Sequence, residues 1–423
     1  MHIALLSPSW PMLQHANGIV TYVHFLREEL LRQGHRVSVF SGRVAPGFSH
    51  PDVHRVEPTR AYRLGRRLAR LLGEGDPGPF GWGRLLAARL RDVHRADPID
   101  VVEMEESFGW CADVRARLPV PVVVKLHGPA FLSLVEEEAA TPMARRRIAC
   151  EAAALPRMPA ITSPSRDTLE RTVGQLSLAP ALAAVVPNPM TVGDDAGVWD
   201  AARCDPHTVL FVGRFDKRKG GDTVLHAFCR LLARRPEARL VFVGPDYGLS
   251  VDGGPLVHFD EWCARHLAPA QRARIDYRGS IPRAEIFRLR TQAAVTVVAS
   301  RWDNQPNTAL EAMLQACPLV AVRAGGVDEL VEHRHTGRLA RADDIDDLAA
   351  QIEAVLDDLP GAAPMGQAAR EAAERRHALD RLAAQTIAVY RQAIAQQAAG
   401  APPVPAWRRL VGHMPSGAKG RPG

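Results

Sequence analysis

The chain has 423 residues, of which 46% are hydrophobic and 24% charged, and it carries a formal net charge of +6 at neutral pH. That length predicts two domains of roughly 200 residues each, and the composition is that of a globular chain with a large core. No window approaches the roughly 18 uninterrupted apolar residues of a membrane span, and the cysteines (Cys111, Cys150, Cys204, Cys229, Cys263, Cys317) lack the paired spacing of a disulfide framework or a zinc site.

The opening segment Met1 to Pro8 has no basic region and only a short apolar run, so it reads as a β-strand, Ile3 to Ser7, rather than a signal peptide; a cytoplasmic location is expected. Asn17-Gly18 then opens a helical pattern from Ile19 to Gln33 that stops at Gly34, before a strand from Arg36 to Phe40. This is a βαβ unit, and Gly18 would let backbone approach a ligand. Ten arginines follow between Arg55 and Arg95. Such a run suits either a solvated helix face or a patch that attracts a phosphate-rich surface, with peripheral contact to anionic lipid at the inner face of the membrane as one expectation.

Further apolar runs at Ile99–Met104, Val120–Leu126, Ala160–Thr162 and Ala184–Pro187 alternate with helical stretches. His127-Gly128 ends the second of these, which puts an imidazole at the carboxyl edge of the predicted sheet. Asn188, between Pro187 and Pro189, reads as turn chemistry. The polar segment 191–206 is the predicted linker.

A second series of strands follows at Thr208–Val212, Arg239–Gly244, Ile275–Gly279, Ala293–Ala299 and Leu319–Val322. The fold class is therefore α/β, with two doubly wound Rossmann-like domains facing across a cleft, and ligands of such sheets bind beyond the carboxyl ends of the strands. Residues 250–268 lengthen one connection and carry no assigned role. The basic, Pro- and Gly-rich stretch 399–423 is predicted to be disordered.

The chemistry gathers in two loops. Gly213 to Gly220 follows a strand and carries Arg214 and Lys219, two cations able to clamp a diphosphate and stabilise it as a leaving group in place of a metal ion. Ser300 to Met313 carries Asp303 in a loop and Glu311 inside the helix that Pro306 and Asn307 begin. The free N–H groups of that helix start would receive phosphates and the two carboxylates would accept hydroxyls, a pairing of needs that a nucleotide sugar has. Asp344-Ile345-Asp346 reads as a helix cap rather than a metal motif.

Taken in order, Asn17-Gly18-Ile19, Gly34-His35, His127-Gly128, Ser163-Pro164-Ser165, Pro187-Asn188-Pro189, Gly213-Arg214-Phe215 with Lys219-Gly220, Gly244, Arg278-Gly279, Asp303 to Glu311, and Gly325-Gly326 with Glu329 resemble the family 4 retaining glycosyltransferases of GT-B fold over about residues 1 to 395. The resemblance implies an acceptor-side domain over 1–190, a nucleotide-sugar-binding domain over 207–380 and a helix over 381–398 that packs back on the first domain. It implies that Arg214 and Lys219 hold the diphosphate, Glu311 the ribose and Asp303 the donor sugar. The backbone of Asn304, Gln305, Pro306 and Asn307 would face phosphates and sugar, and Gly279 to Ile281 would lie along the base. Gly18 would face the phosphate and His127 the transferred sugar.

The implied reaction is metal-independent transfer of a hexosyl unit from a UDP- or GDP-sugar to a cell-envelope glycan, a lipid-linked acceptor or a small molecule, with retention, no other cofactor and no nucleic acid partner. Two departures stand out: Asp303 takes the place of the usual Glu, and Asn17 that of the first of two glycines. They leave open an inactive nucleotide-sugar-binding protein, and the shared architecture leaves open a nucleotide-sugar epimerase.

Overall fold

The computed structural model describes residues 1–12, 17–71, 81–193, 196–250 and 254–400. The predicted tail beyond residue 400 lies outside the described residues. The first domain is a seven-stranded, all-parallel sheet of β1 (His2–Ser7), β2 (Arg36–Ser41), β3 (Val53–Arg55), β4 (Val101–Glu105), β5 (Val122–Lys125), β6 (Ala160–Ser163) and β7 (Leu182–Val185) in the order β3-β2-β1-β4-β5-β6-β7. Its central strands are mostly apolar because both faces are covered, with Glu103 and Glu105 of β4 and Lys125 of β5 as buried exceptions. Ile3 and Leu5 face one side with Tyr22 and Leu26 of the helix Gly18–Arg32, while Ala4 and Leu6 face the other with Leu86 and Leu90 of the helix Trp82–Ala96.

The second domain has β8 (Asp205–Val212), β9 (Arg239–Val243), the small antiparallel pair β10 (Leu249–Ser250) and β11 (Leu256–Val257), then β12 (Ile275–Tyr277), β13 (Ala293–Val298), β14 (Leu319–Val322) and β15 (Arg338–Ala340). Its six-stranded parallel sheet runs β12-β9-β8-β13-β14-β15, so the order reverses between β8 and β13. That switch point is where an open α/β sheet forms a ligand crevice at its carboxyl edge.

The chain recrosses at Ala378. The helix Leu359–His377 belongs to the second domain, and the helix Leu379–Ala398 sends Leu382, Ala383, Ile387 and Tyr390 into the core beneath β1, β4 and β5 of the first. The described residues of 191–206 are packed against the second domain. Trp199 is buried in the second core, with its indole N–H donating to the Ala293 carbonyl at 2.7 Å, and β8 begins at Asp205, paired with Ala293, inside the expected linker. Residues 250–268 supply β11 and the helix Phe259–His266, whose Phe259 and Trp262 enter the same core. Two three-residue edge strands, β3 and β15, have no counterpart in the sequence reading.

Candidate active site

Arg214 and Lys219 sit in the turn after β8, organised by Asp216. One Asp216 oxygen lies 2.6 Å from the Arg214 guanidinium and the other accepts the Lys219 backbone N–H at 2.7 Å. Arg214 also lies over the Tyr247 ring at 5.0 Å. The Lys219 ammonium is hydrogen-bonded to the Asp303 carboxylate, which joins the two loops singled out in the sequence. Burial draws the Lys219 ammonium below the ordinary lysine range against the pull of Asp303. Burial alone would raise the Asp303 carboxyl, but Lys219 and Arg218 outweigh it and hold it below the usual aspartate range, so Asp303 is ionised at neutral pH.

The loop 299–306 is fixed from several sides. Arg301 makes two 2.8 Å bonds to Asp222, and Gly220, left-handed at φ 70°, sits so close that an added Cβ would lie 1.9 Å from the Ala299 carbonyl oxygen. The helix Asn307–Leu314 then starts against β8, where the Thr308 hydroxyl donates to the Val212 carbonyl at 3.3 Å. Its first N–H groups have no acceptor within the helix. Gly18 faces this start, for a Cβ there would stand 3.6 Å from Asn307 Nδ2. Asn17 is the N-cap of the opposing helix, its side chain accepting the Ile19 N–H at 2.9 Å.

Glu311 is held by two arginines that the sequence reading did not single out. Arg283 reaches one oxygen at 3.0 Å and the fully buried Arg290 the other at 3.1 Å. Arg290 also donates to Gln315 at 2.7 Å, and Gln315 donates to the Ala196 carbonyl at 2.7 Å. The acid is thereby fixed to the segment that joins the domains.

Asn304 and Gln305 turn their side chains to the first domain. Asn304 accepts from Ser165 (2.6 Å) and Thr168 (2.9 Å) and donates to the Leu126 carbonyl at 2.9 Å, while Gln305 accepts the Asn188 N–H at 3.0 Å. Their side chains are thus engaged across the interface, and a Cβ on Gly326 would lie 1.9 Å from the Asn304 backbone carbonyl oxygen. Glu329 caps the helix Arg166–Gln175 across the interface, accepting the N–H groups of Arg166 at 2.9 Å and Asp167 at 2.8 Å.

On the first-domain side, the His127 and Gly128 N–H groups donate to Glu106 at 2.9 and 2.8 Å, and Trp302 approaches Gly128 from the second domain. Burial, with Lys125 nearby, pushes the His127 imidazole down to about 3, so it is neutral at physiological pH. Burial beside Glu151 pushes Glu106 up to about 8. Lys125, inside an apolar strand, donates to the Val186 carbonyl and is drawn down to about 8 by burial.

Gly279 and Ile281 lie after β12. The Gly279 carbonyl accepts the Gly244 N–H at 2.8 Å, a Cβ added at Gly279 would point into open space, and Ile281 packs against the small apolar cluster that includes Val241, Val243 and Leu289. A groove of about 790 Å³ lies at the opposite, amino edge of β8, β9 and β12, and Arg214, Lys219, Gly279, Ile281, Asp303 and Glu311 are not among the residues that line it. Asp344 is a helix N-cap that accepts the Asp347 N–H at 2.8 Å. Among the described residues no group of three or more His, Cys, Asp and Glu side chains could hold a metal ion.

Residues 16–192 match the family model described as Glycosyltransferase Family 4, and residues 201–372 match the one described as Glycosyl transferases group 1. The chain is 27% identical to the MMP alpha-(1->4)-mannosyltransferase of Mycolicibacterium hassiacum across 94% of this chain and 100% of that one. It is 29% identical to the D-inositol 3-phosphate glycosyltransferase of Kribbella flavida across 67% and 69%. Its fold is similar to sucrose-phosphate synthase from Thermosynechococcus elongatus, with a TM-score of 0.73 at 22% identity over 93% of this chain and 99% of that one. The Anabaena HepE protein, solved in complex with UDP-glucose, has a TM-score of 0.60 at 18% identity over 95% and 100%.

Proposed function

The chain belongs to the family 4 glycosyltransferases of GT-B fold, and from that premise we propose that it moves a hexosyl unit, with retention and without a fixed metal, from a nucleoside-diphosphate sugar to a glycan, lipid-linked or small-molecule acceptor. The observation that carries this reading is the Lys219–Asp303 bond, which brings the cationic turn after β8 to the acid loop after β13.

The donor diphosphate lies against Arg214, Lys219 and the start of the helix Asn307–Leu314. As the C1–oxygen bond to the diphosphate breaks, charge grows on the departing oxygen, and the two cations with the helix N–H groups stabilise it. The acceptor hydroxyl bonds to C1 on the face the diphosphate leaves, and its proton passes to the departing phosphate oxygen. Asp303 accepts donor-sugar hydroxyls, and neutral His127 exchanges a hydrogen bond with the same sugar. Glu311, fixed by Arg283 and Arg290, holds the ribose, and the backbone of Gly279 to Ile281 lines the base.

A UDP-sugar is supported by the complex of the Anabaena structural neighbour and a mannosyl donor by the name of the Mycolicibacterium relative; a GDP-sugar is the alternative donor. The test is incubation with UDP- and GDP-sugars, with and without candidate acceptors, followed by NMR of the new anomeric centre. Acceptor-dependent diphosphate release with retained configuration is expected. Conversion of the donor sugar without acceptor would instead mark an epimerase, and binding without turnover an inactive protein, in which case Asp303→Glu should restore turnover.

A further inference from the structure

The helix Arg60–Leu71 of the first domain carries three strongly exposed leucines: Leu64 (59%), Leu68 (51%) and Leu71 (83%). At about 100° of turn per residue they fall on one stripe about 60° wide. Tyr62 lies on the opposite side, half-buried, and its ring meets Trp82 edge-on with centroids 6.4 Å apart. The helix is therefore anchored to the domain through Tyr62 and turns its leucines outward. Arg60, Arg63 and Arg67, all exposed, line one flank of the stripe, and the helix contains no acidic residue. No helix among the described residues is long and apolar enough to cross a membrane.

We propose that this helix is a membrane-docking element that lies flat on an anionic lipid surface, with Leu64, Leu68 and Leu71 among the acyl chains and the flanking arginines on the phosphates. The chemistry separates this partner from nucleic acid. Arginines serve either polyanion, but three leucines projecting together gain by leaving water only where an apolar phase receives them. Phosphate contacts on a duplex are made by charged and polar groups. The arginines also account for a preference for anionic over zwitterionic lipid and for weakening by salt.

The test is co-sedimentation of the full chain with phosphatidylcholine vesicles, with and without phosphatidylglycerol, for wild type and for the combined L64S, L68S and L71S variant. Wild type should pellet with the phosphatidylglycerol vesicles, less so in high salt, and the triple variant should bind them at least about ten-fold more weakly. The substituted side chains are exposed, so an unchanged melting temperature and unchanged diphosphate binding would show that the variant is folded with its cleft intact. The donor reading is thus tested separately. The proposal is overturned if wild type stays in the supernatant, if the triple variant pellets like wild type, or if the substitutions abolish a dimer or duplex binding while vesicles are ignored.

Discussion

Lys219 gives its ammonium to Asp303, and a diphosphate entering the cleft competes with that carboxylate for it. Lys219→Met should weaken diphosphate binding at least ten-fold, since a charge-assisted contact contributes about 1.5–3 kcal/mol; calorimetry would reveal unchanged affinity if the clamp lies elsewhere. His377 supplies a pH-dependent term. It is buried, its Nδ1 lies 3.0 Å from the Asn188 carbonyl oxygen, and burial pushes it down to about 4 from 6.5. The unfolded chain therefore binds this proton more readily, so the contribution of His377 is complete above about pH 6.5 and is lost as pH falls toward 4. The difference corresponds to about 3 kcal/mol at about 1.36 kcal/mol per pKa unit. Denaturant unfolding of His377→Gln should show a shallower loss of stability between those pH values, and parallel curves would refute the assignment. Asp303, Arg214 and Lys219 are legible in sequence because each follows the end of an apolar strand. Arg290 is not: one arginine among several in the helix Arg283–Gln292 carries no local sign that packing will bury it against Glu311.

Among the elements, strands buried on both faces are readable as apolar runs, whereas β3 and β15 are three residues long at sheet edges and leave no period to detect. The packing of the connection between the domains is hidden for a related reason. Its polar composition suggests a linker, but Trp199 and Met190 pin it into the second core. Close backbone contacts are just as hidden. Gly220 combines a left-handed backbone with an added-Cβ position 1.9 Å from the Ala299 oxygen. Gly220→Ala should therefore cost about 1–3 kcal/mol from strain and overpacking, and it should displace the acid loop. A melting temperature and diphosphate affinity equal to wild type would show that this contact is not needed.

At the scale of the molecule, the domains are held together by Asn304 on Ser165 and Thr168, by Gln305 on Asn188 and by Glu329 on the helix Arg166–Gln175. These contacts arise from the same loops as the proposed donor site, so binding and domain closure should be coupled. Glu329→Ala removes an interdomain helix cap of about 1 kcal/mol. Small-angle scattering should then show a larger radius of gyration for the variant, and an identical profile would remove the cap from the closure mechanism. The two doubly wound domains follow from the repeated strand–helix pattern, and the family from motifs at strand ends. The interdomain contacts are not legible because they depend on how two separately encoded surfaces meet.

The most direct test is calorimetric titration of UDP and GDP into wild type and Arg214→Ala, each with and without magnesium. One diphosphate should bind without the metal, and the variant should lose at least about ten-fold in affinity, the equivalent of about 1.4 kcal/mol. Failure of both diphosphates to bind wild type, or binding indifferent to Arg214, would contradict the donor site placed between β8 and β13.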